Sequence, residues 1–360
     1  MKDAIVHAGP RVEIIDSPIP TPGPDQVVIK TIVSGSNPKD WKTPDWTALN
    51  PDAWFATPGG RSINQGDDIA GVVHAVGSNV FEFRPGDRVA AFHEMRKPGG
   101  SYAEYSLAWA HTTFRLPEAT SFEEAATLPL AAMTAALGLF WDLGFADPWT
   151  KPDNVGPEKR PLIVYGGATA VGAFAIQLAQ RAGIHPIVAV AGRGTDFVKG
   201  LLDPSKGDAV VDYRGGDDAV VRGIGEAVAK TMGSAGAVHH AFDAVSEKGS
   251  TCNCWAAMPE SGQVTTVLPV PPQDEEKQPA HVKTTMTMVG HAHTVAKDFA
   301  YVYFRYVALG LHQGWFKAHP FDVAKGGLEG VEGALKELKD GKVSAKKYVF
   351  RIADTPGVQI

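Results

Sequence analysis

The residues with the clearest chemical meaning lie in a glycine- and alanine-rich segment near the middle of the chain. Its pattern predicts a buried strand at Leu162–Tyr165, a turn of small residues, and a helix that begins near Val171. Such a turn lets a pyrophosphate contact free N–H groups at a helix N-terminus, although an ordinary tight turn gives the same pattern. Gly167 and Gly172 hold the outer positions of the dinucleotide fingerprint, and Thr169 replaces its middle glycine. The expected cofactor contacts here are Gly166, Gly167, Ala168, Thr169, Ala170 and Val171.

The end of the next predicted strand, in VAVAGRGTDF, bears on which nicotinamide cofactor the turn would take. NAD-specific sites usually have an Asp or Glu there, which binds the ribose hydroxyls. Gly192 and Arg193 occupy this tip, so no carboxylate repels a 2′-phosphate, and a guanidinium suits one. We therefore expect NADPH, although solvated surface charges would give the same pattern. The expected contacts are Gly192, Arg193, Thr195, Lys199 at the start of the next helix, and Tyr213 after the third strand.

Size and composition are those of an ordinary soluble protein with two domains or one large divided domain. The 360 residues are 44% hydrophobic and 21% charged. A net charge of −6 argues against a nucleic-acid partner, which needs a basic surface. We find no apolar run near the roughly 20 residues of a membrane span, and no secretory signal. The two cysteines, Cys252 and Cys254, fit a reducing compartment, so we expect a cytoplasmic protein.

The first 115 residues have the composition of a small β-barrel or sandwich. Short runs rich in β-branched residues lie between Gly, Pro and Asp, which is typical of strands joined by turns. The predicted strands are Gln26–Val33, Ile69–Gly77, Asp87–Phe92 and Tyr102–Leu107. Ser121 and Glu124 form a capping-box pattern, which predicts a helix that continues through an alanine-rich segment to Phe140.

From Leu162 onward, strand and helix patterns alternate, which predicts a doubly wound parallel sheet. The candidate strands are Leu162–Tyr165, Pro186–Ala191, Ala209–Asp212, Val238–Asp243, Val264–Leu268 and Thr285–Val289. Outside the sheet we expect a surface loop at Lys151–Arg160, a mobile loop at Pro269–Lys283, helical stretches at Asp298–Gln313 and Leu328–Asp340, and a last strand at Lys347–Ile352. The return to a strand at the end predicts a split catalytic domain, 1–125 and 296–360, around a nucleotide-binding domain, 126–295.

Several motifs in order give the chain a resemblance to the medium-chain dehydrogenase/reductase superfamily over nearly its whole length. They are SNPKDWK (Ser36–Lys42), Gly66–Val89 with Gly71, Gly77, Gly86 and Asp87 in place, LPLAAMTAAL (Leu128–Leu137), the nucleotide turn, and DYR (Asp212–Arg214). The chain most resembles the zinc-independent branch of quinone and enoyl reductases, and within it fungal trans-acting enoyl reductases that serve polyketide synthases. The resemblance implies an α/β fold, with a GroES-like β-barrel catalytic domain plus a Rossmann domain.

The positions that bind catalytic zinc in zinc-dependent relatives hold other residues here. Where those relatives have a Cys, this chain has Asn37, and where they have a His-Glu pair it has Asp67 and Asp68. Where they have a later Cys or Asp, this chain has the apolar stretch around Ala131. Catalytic zinc normally has three protein ligands drawn from His, Cys and carboxylate, and this set does not supply them. Two further histidine pairs are interpreted as surface or packing residues: His239 with His240, and His291 with His293. We expect no metal.

A metal-free site must polarise its substrate by hydrogen bonds, which suits reduction of an activated carbon–carbon double bond. Hydride adds to the β-carbon, charge builds on the carbonyl oxygen, and the α-carbon takes a proton from a side chain or water. The resemblance implies two catalytic candidates: Lys42, which contacts the cofactor, and Thr134, which lies beside the nicotinamide. The alternatives are that Lys42 is a solvated lysine and that Thr134 is a helix threonine bonded to its own backbone. Lys39 stands where relatives have a small polar residue. The remaining expected cofactor contacts are Lys39, Lys42, Val267, Leu268, Val349 and Phe350.

Three functions stay open on the sequence. The leading interpretation is an NADPH-dependent reductase of enoyl thioesters, enones or quinones, acting in trans in fungal polyketide biosynthesis. A zinc-free carbonyl reductase or alcohol dehydrogenase is the second, and a non-catalytic NADPH-binding subunit is the third. The leading interpretation implies a small-molecule or carrier-bound acyl substrate and a polyketide synthase as partner, with neither nucleic acid nor membrane involved.

Overall fold

The structure is a computed structural model that describes residues 1–150, 160–233 and 236–358. The chain divides into two compact units: unit 1 is Met1–Leu130 with Gly290–Ile360, and unit 2 is Ala131–Val289. The breaks expected from the sequence, at 125/126 and 295/296, lie a few residues from these. Most of the loop expected at Lys151–Arg160 lies outside the described residues. Among the described helices, none is long and apolar enough to cross a membrane.

The elements of the described residues are numbered here in chain order. The strands are β1 (Lys2–His7), β2 (Arg11–Asp16), β3 (Gln26–Gly35), β4 (Asp68–Val76), β5 (Arg88–Phe92), β6 (Tyr105–Trp109), β7 (Thr113–Arg115), β8 (Leu162–Tyr165), β9 (Ile187–Ala191), β10 (Ala209–Asp212), β11 (His240–Asp243), β12 (Gly262–Thr266), β13 (Val282–Met286), β14 (Phe321–Val323) and β15 (Lys347–Arg351). The α-helices are α1 (Lys39–Leu49), α2 (Phe122–Ala125), α3 (Pro129–Ala136), α4 (Ala170–Arg181), α5 (Thr195–Lys199), α6 (Asp217–Met232), α7 (Ser250–Ala256), α8 (Pro272–Glu275), α9 (Lys297–Gln313) and α10 (Gly330–Lys339).

Unit 1 is built on a seven-stranded sheet in which β3 is the central strand. The order is β14-β15-β3-β4-β5-β7, with β6 also paired to β3, and all pairs except β14–β15 are antiparallel. Successive residues of a strand point to opposite faces, and alternate residues such as Val27 and Ile29 join one buried cluster with Ile69 and Val89. The hairpin β1–β2 stands apart from this sheet.

Two positions of unit 1 require glycine because a neighbouring backbone segment lies too close to leave room for a side chain. A Cβ at Gly71 would lie 2.1 Å from the carbonyl oxygen of Lys30 on the neighbouring strand. A Cβ at Gly77 would lie 2.0 Å from the carbonyl oxygen of Gly23. Both glycines belong to the barrel signature, and steric exclusion of any side chain is the physical reason for their presence.

Unit 2 is a six-stranded parallel sheet with helices between its strands, as the alternating pattern predicts. Its order is β10-β9-β8-β11-β12-β13, so the chain runs outward from β8 in one direction and from β11 in the other. Every residue of β8 and β9 is buried, which is typical of a sheet covered on both faces. Helix α6 turns Val220, Ile224 and Val228 toward the core at helical spacing.

The prediction of one helix from Ser121 to Phe140 is wrong, because the structure has separate helices there. The capping box is present: Ser121 Oγ accepts from the Glu124 N–H at 3.1 Å, and Glu124 accepts in return. However, α2 ends at Ala125 and α3 begins at Pro129, whose ring nitrogen cannot donate to the preceding turn. The chain then continues as a π-helix over Leu137–Asp142.

Three other expectations differ from the structure. The mobile loop expected at Pro269–Lys283 contains α8 and the start of β13, because Val282 is buried and pairs with Gly262. Strand β13 therefore begins before the expected Thr285 and ends at Met286. Strand β6 begins three residues after the expected Tyr102, whose side chain is fully buried in unit 1.

Candidate functional site

The turn between β8 and α4 has the geometry of a phosphate-binding turn. Gly166 has a φ of +82°, and a Cβ there would lie 2.5 Å from the side chain of Val245. Thr169 is the N-cap of α4, and its hydroxyl accepts from the Gly172 N–H at 3.0 Å. A Cβ at Gly172 would lie 2.2 Å from the Gly166 carbonyl oxygen. The threonine in place of the middle glycine therefore caps the helix, and the first N–H groups of α4 lie where a phosphate could accept from them.

The cofactor contacts expected in unit 2 all follow strands of one parallel sheet. The turn follows β8, Gly192 follows β9, Tyr213 follows β10, and Val267 with Leu268 follows β12. Because the strands are parallel, the structure brings these residues to one edge of the sheet. The strand order reverses between β8 and β11 at this edge, which is where open α/β sheets bind dinucleotides. The residues of this carboxyl edge therefore fit a dinucleotide.

The tip after β9 is organised around Gly192. A Cβ there would lie 2.6 Å from the ring of Tyr213, and Thr195 Oγ1 donates to the Gly192 carbonyl at 2.7 Å. Arg193 is exposed at this tip. The expectation for Lys199 is wrong in one respect: it is the last residue of α5 rather than near the helix start, and its ammonium lies 3.4 Å from Asp196.

The carboxylate at the end of β10, Asp212, is paired with an arginine. Asp212 accepts hydrogen bonds from the Arg214 guanidinium, including one from Nε at 2.9 Å. These bonds lower the pKa of Asp212 to about 2. The paired side chains put little net negative charge beside Tyr213.

The sequence reasoning missed Asp243, which closes β11 at the same edge. Its carboxylate accepts from the N–H groups of Val245 and Ser246 at 3.0 and 2.9 Å, and from the hydroxyls of Ser250 and Thr251, both at 2.7 Å. Burial raises the pKa of Asp243, and these hydrogen bonds oppose the rise. An aspartate directly after an apolar strand was the signal available in the sequence.

In unit 1, Asp67 lies in a buried ion cluster. Its carboxylate pairs with the Lys39 ammonium, which also donates to the Gln65 carbonyl at 2.5 Å. His93 Nδ1 lies 2.8 Å from Asp67, and His93 Nε2 lies 3.1 Å from the Pro98 carbonyl. Both partners are hydrogen-bond acceptors, so each ring nitrogen of His93 faces an oxygen atom. Burial opposes ionisation of Asp67, but Lys39 and His93 outweigh it and lower its pKa.

Asp68, the next residue, has a separate buried lysine partner. The Lys347 ammonium pairs with Asp68 and donates to the Asn37 side-chain oxygen at 3.1 Å. The Asn37 amide donates to Asp68 at 2.7 Å, and the Leu130 N–H donates to it at 2.6 Å. Lys347 is the first residue of β15, so this cluster ties that strand to the start of β4.

These clusters occupy the positions that bind zinc in zinc-dependent relatives. Asn37, Asp67 and Asp68 each hydrogen-bond to or pair with a protein cation or amide. Within the described ranges, no group of three or more His, Cys, Asp or Glu side chains could hold a metal ion. The donor set present here fits ammonium groups rather than a zinc ion.

Lys42 lies in α1, whose first turn is anchored by Asp40. The Asp40 carboxylate accepts from the Tyr102 hydroxyl at 2.6 Å and from the Asn37 N–H at 2.7 Å. Burial raises the pKa of Asp40 to about 6, although the nearby Lys39 ammonium opposes the rise. The Lys42 side chain is buried, with its ammonium 4.9 Å from the centre of the Trp41 ring.

The other expected site residues fall in both units. Thr134 is a buried residue of α3 in unit 2. Val349 and Phe350 are fully buried in β15 of unit 1, and the Phe350 ring packs edge-on against Tyr102. Of the histidine pairs, His293 is buried beside Phe92, and burial lowers its pKa to about 3, in agreement with a packing role.

Comparisons with known proteins cover both units. Residues 23–118 match the alcohol dehydrogenase GroES-like domain family. Over 331 residues the chain is 44% identical to trans-enoyl reductase fsr4 of Gibberella fujikuroi, covering 92% of each chain. It is 30% identical to trans-enoyl reductase resD of Aspergillus sclerotiorum, covering 97% of this chain and 99% of that one. A crystal structure of an alcohol dehydrogenase superfamily protein from Novosphingobium aromaticivorans has a TM-score of 0.75 at 21% identity, covering 98% of this chain and 99% of that one.

The Asp68–Lys347 pair generates a prediction about stability. Lys347→Met should lower the free energy of unfolding of unit 1 by about 3–5 kcal/mol, because it leaves a buried carboxylate without its cation. Adding Asp68→Asn should restore part of the loss, because the double variant has no buried charge. Denaturant unfolding monitored by tryptophan fluorescence measures both.

The neighbouring Lys346→Met is the matched control. Lys346 pairs with Asp322 at the surface, so its loss should change stability by less than about 1 kcal/mol. Equal effects of the two single substitutions would contradict a structural role for the buried pair.

Proposed function

The chain belongs to the trans-enoyl reductases of the medium-chain dehydrogenase/reductase superfamily, and we propose that it reduces enoyl thioesters with NADPH, in trans to a fungal polyketide synthase. It is an oxidoreductase of a fold that uses a nicotinamide cofactor. The observation that carries the proposal is the 44% identity to a trans-enoyl reductase over 92% of both chains. Such a partner would present the acyl substrate on a carrier. The two cysteines are free thiols, in keeping with a cytoplasmic location.

The carboxyl edge of unit 2 supports NADPH over NADH. The tip after β9 has a glycine and an exposed arginine where an NAD-specific site has an acid. The only acid at the end of β10, Asp212, is paired with Arg214. A 2′-phosphate would therefore meet the Arg193 guanidinium, while the Asp212 carboxylate is already neutralised by Arg214. When bound, the cofactor supplies the hydride that adds to the β-carbon of the substrate.

Polarisation of the substrate carbonyl is proposed to proceed without zinc. Lys39 and Lys347 satisfy the charges of Asp67 and Asp68, so these carboxylates have no need of a second cation. Charge that develops on the substrate oxygen during conjugate reduction must then be stabilised by protein donors. Quinone and enone substrates develop charge in the same way, which makes them accessible alternatives to a thioester.

Lys42 and Thr134 are the proposed donors. The anchoring of α1 through Asp40 holds Lys42 in a buried position, where its charge acts strongly on a nearby oxygen. The Thr134 hydroxyl would orient the nicotinamide or donate to the substrate oxygen. The α-carbon then takes its proton from a side chain or from water. Lys39, Val267, Leu268, Val349 and Phe350 are retained as proposed cofactor contacts.

A first prediction concerns metal content. The purified protein should contain far less than one zinc per chain, and a chelator should leave turnover of an enoyl thioester unchanged. Elemental analysis and an NADPH-oxidation assay check these points. One tightly held zinc per chain, with activity lost on chelation, would contradict the metal-free proposal.

A second prediction concerns cofactor choice. Arg193→Ala should weaken NADPH binding by about 1–3 kcal/mol, the value of a charge-assisted contact, and should leave NADH binding nearly unchanged. Fluorescence titration with each cofactor measures the two affinities. Arg222→Ala, which removes an exposed arginine of α6, is the control and should affect neither. Equal losses for both cofactors would show that Arg193 does not read the 2′-phosphate.

A third prediction concerns the proposed donors. Lys42→Ala and Thr134→Val should each lower kcat/KM for an enoyl thioester by about 10- to 1,000-fold, as loss of a transition-state donor does. Thr134→Val nearly conserves volume, so the loss would report on the hydroxyl. Thermal unfolding and NADPH affinity, measured on the same samples, separate misfolding and cofactor loss from chemistry. Full turnover by both folded variants would assign Lys42 and Thr134 purely structural roles.

A further inference from the structure

A groove of about 470 Å³ lies at the amino ends of three neighbouring strands of unit 2. Strands β11, β12 and β13 begin there, at His240, Gly262 and Val282. The dinucleotide turn lies at the carboxyl ends of the same sheet, so the groove is at the opposite edge. Its lining residues are His239, His240, Ser261, Gly262, Gln263, Ala280, His281, Val282 and Lys283.

The lining of this groove is basic, whereas the chain as a whole is acidic. Among the described residues, the lining includes three histidines and one lysine and neither Asp nor Glu, although the chain has a net charge of −6. Burial lowers the pKa of His240, and the positive charges of His239 and Arg160 lower it further. His240 is therefore a neutral N–H donor, and Lys283 is the charged side chain among the described lining residues.

Three of its polar side chains have no hydrogen-bond partner within the part of the chain that the structure describes. They are the imidazole of His240, the amide of Gln263 and the ammonium of Lys283. The His240 ring packs on Phe145 with a centroid distance of 4.6 Å, which fixes its position without using its nitrogens. All three line the groove, and each can donate an N–H hydrogen bond to an anion bound there.

The other two histidines are held by backbone carbonyl groups. His239 Nδ1 lies 2.6 Å from the Ser261 carbonyl oxygen, and His281 Nε2 lies 3.1 Å from that of Met258. A carbonyl oxygen only accepts, so each of these nitrogens must carry the proton. The second nitrogen of each ring then becomes a donor only when the ring is protonated. His239 and His281 can therefore donate a hydrogen bond to a ligand in the groove only after the ring has taken up a second proton.

We propose that this groove binds an oxyanion of the phosphate type, with proton uptake by His239 and His281. Lys283 supplies a permanent positive charge, and Gln263 and His240 supply neutral N–H donors. Arg160 adds positive potential at His240, and the lining residues that the structure describes include no acid. A metal ion is a weaker match, because the described residues contain no cluster of three or more His, Cys, Asp or Glu that could hold one. The site is separate from the proposed reductase chemistry and does not depend on it.

Histidine-selective NMR tests the site directly. Protein labelled with ¹⁵N at its 12 histidines is titrated with inorganic phosphate, against chloride at equal ionic strength, at pH 6 and pH 8. Saturating NADPH is present so that phosphate cannot bind at the nucleotide turn. The signals of His239, His240 and His281, assigned through single His→Gln variants, should shift saturably and with higher affinity at pH 6. The other histidine signals should respond no more to phosphate than to chloride.

Lys283→Gln provides the second arm. Because Lys283 is exposed, this substitution should lower the affinity for phosphate at least tenfold and leave the thermal unfolding temperature and reductase turnover unchanged. Lys97→Gln, an exposed lysine of unit 1, is the matched control and should leave the phosphate affinity unaltered. The proposal would be overturned by three outcomes: no saturable shift, equal shifts with chloride, or unchanged affinity in Lys283→Gln. Tight binding of zinc to the same histidines, with no response to phosphate, would assign a metal site instead.

Discussion

The architecture of unit 1 depends on two adjacent buried carboxylates, each neutralised by its own lysine. Asp67 and Asp68 lead into β4, while Lys39 opens α1 and Lys347 opens β15. A buried carboxylate without a cation is strongly destabilising, so these segments must meet at one place for the unit to fold. Segments far apart in the sequence are thereby fixed by charge as well as by apolar packing.

The same pairing connects the fold to the proposed chemistry. Lys39 and Asp40 are the first residues of α1, and both are bound to the barrel through Asp67 and the Tyr102 hydroxyl. Lys42 follows on the same helix, so these contacts help to set its position. The proposed metal-free site would need this order, because the substrate oxygen would then be organised only by protein donors placed in advance.

Features with a local sequence signal were predictable, and features made by distant partners were not. The dinucleotide turn, the capping box at Ser121 and the parallel sheet follow from residues within a few positions of one another. The break at Pro129 was visible in the sequence, but the apolar pattern on both sides of it favoured one long helix. The partnership of Lys347 with Asp68 had no such signal, because an isolated lysine at a strand start has the pattern of a surface residue. Asp243 had a local signal, an aspartate directly after an apolar strand, but its hydrogen bonds to hydroxyls of α7 did not.

The contact between Tyr213 and Gly192 restricts how cofactor preference could be re-engineered. An acid at the end of β9 is the usual route to NADH, yet any side chain at Gly192 would meet the tyrosine ring at 2.6 Å. A carboxylate could be introduced there only if the ring moved, which would disturb Tyr213 as an expected cofactor contact. Cofactor preference at this edge is therefore a property of Gly192 and Tyr213 together, and a library designed to change it should vary both positions at once.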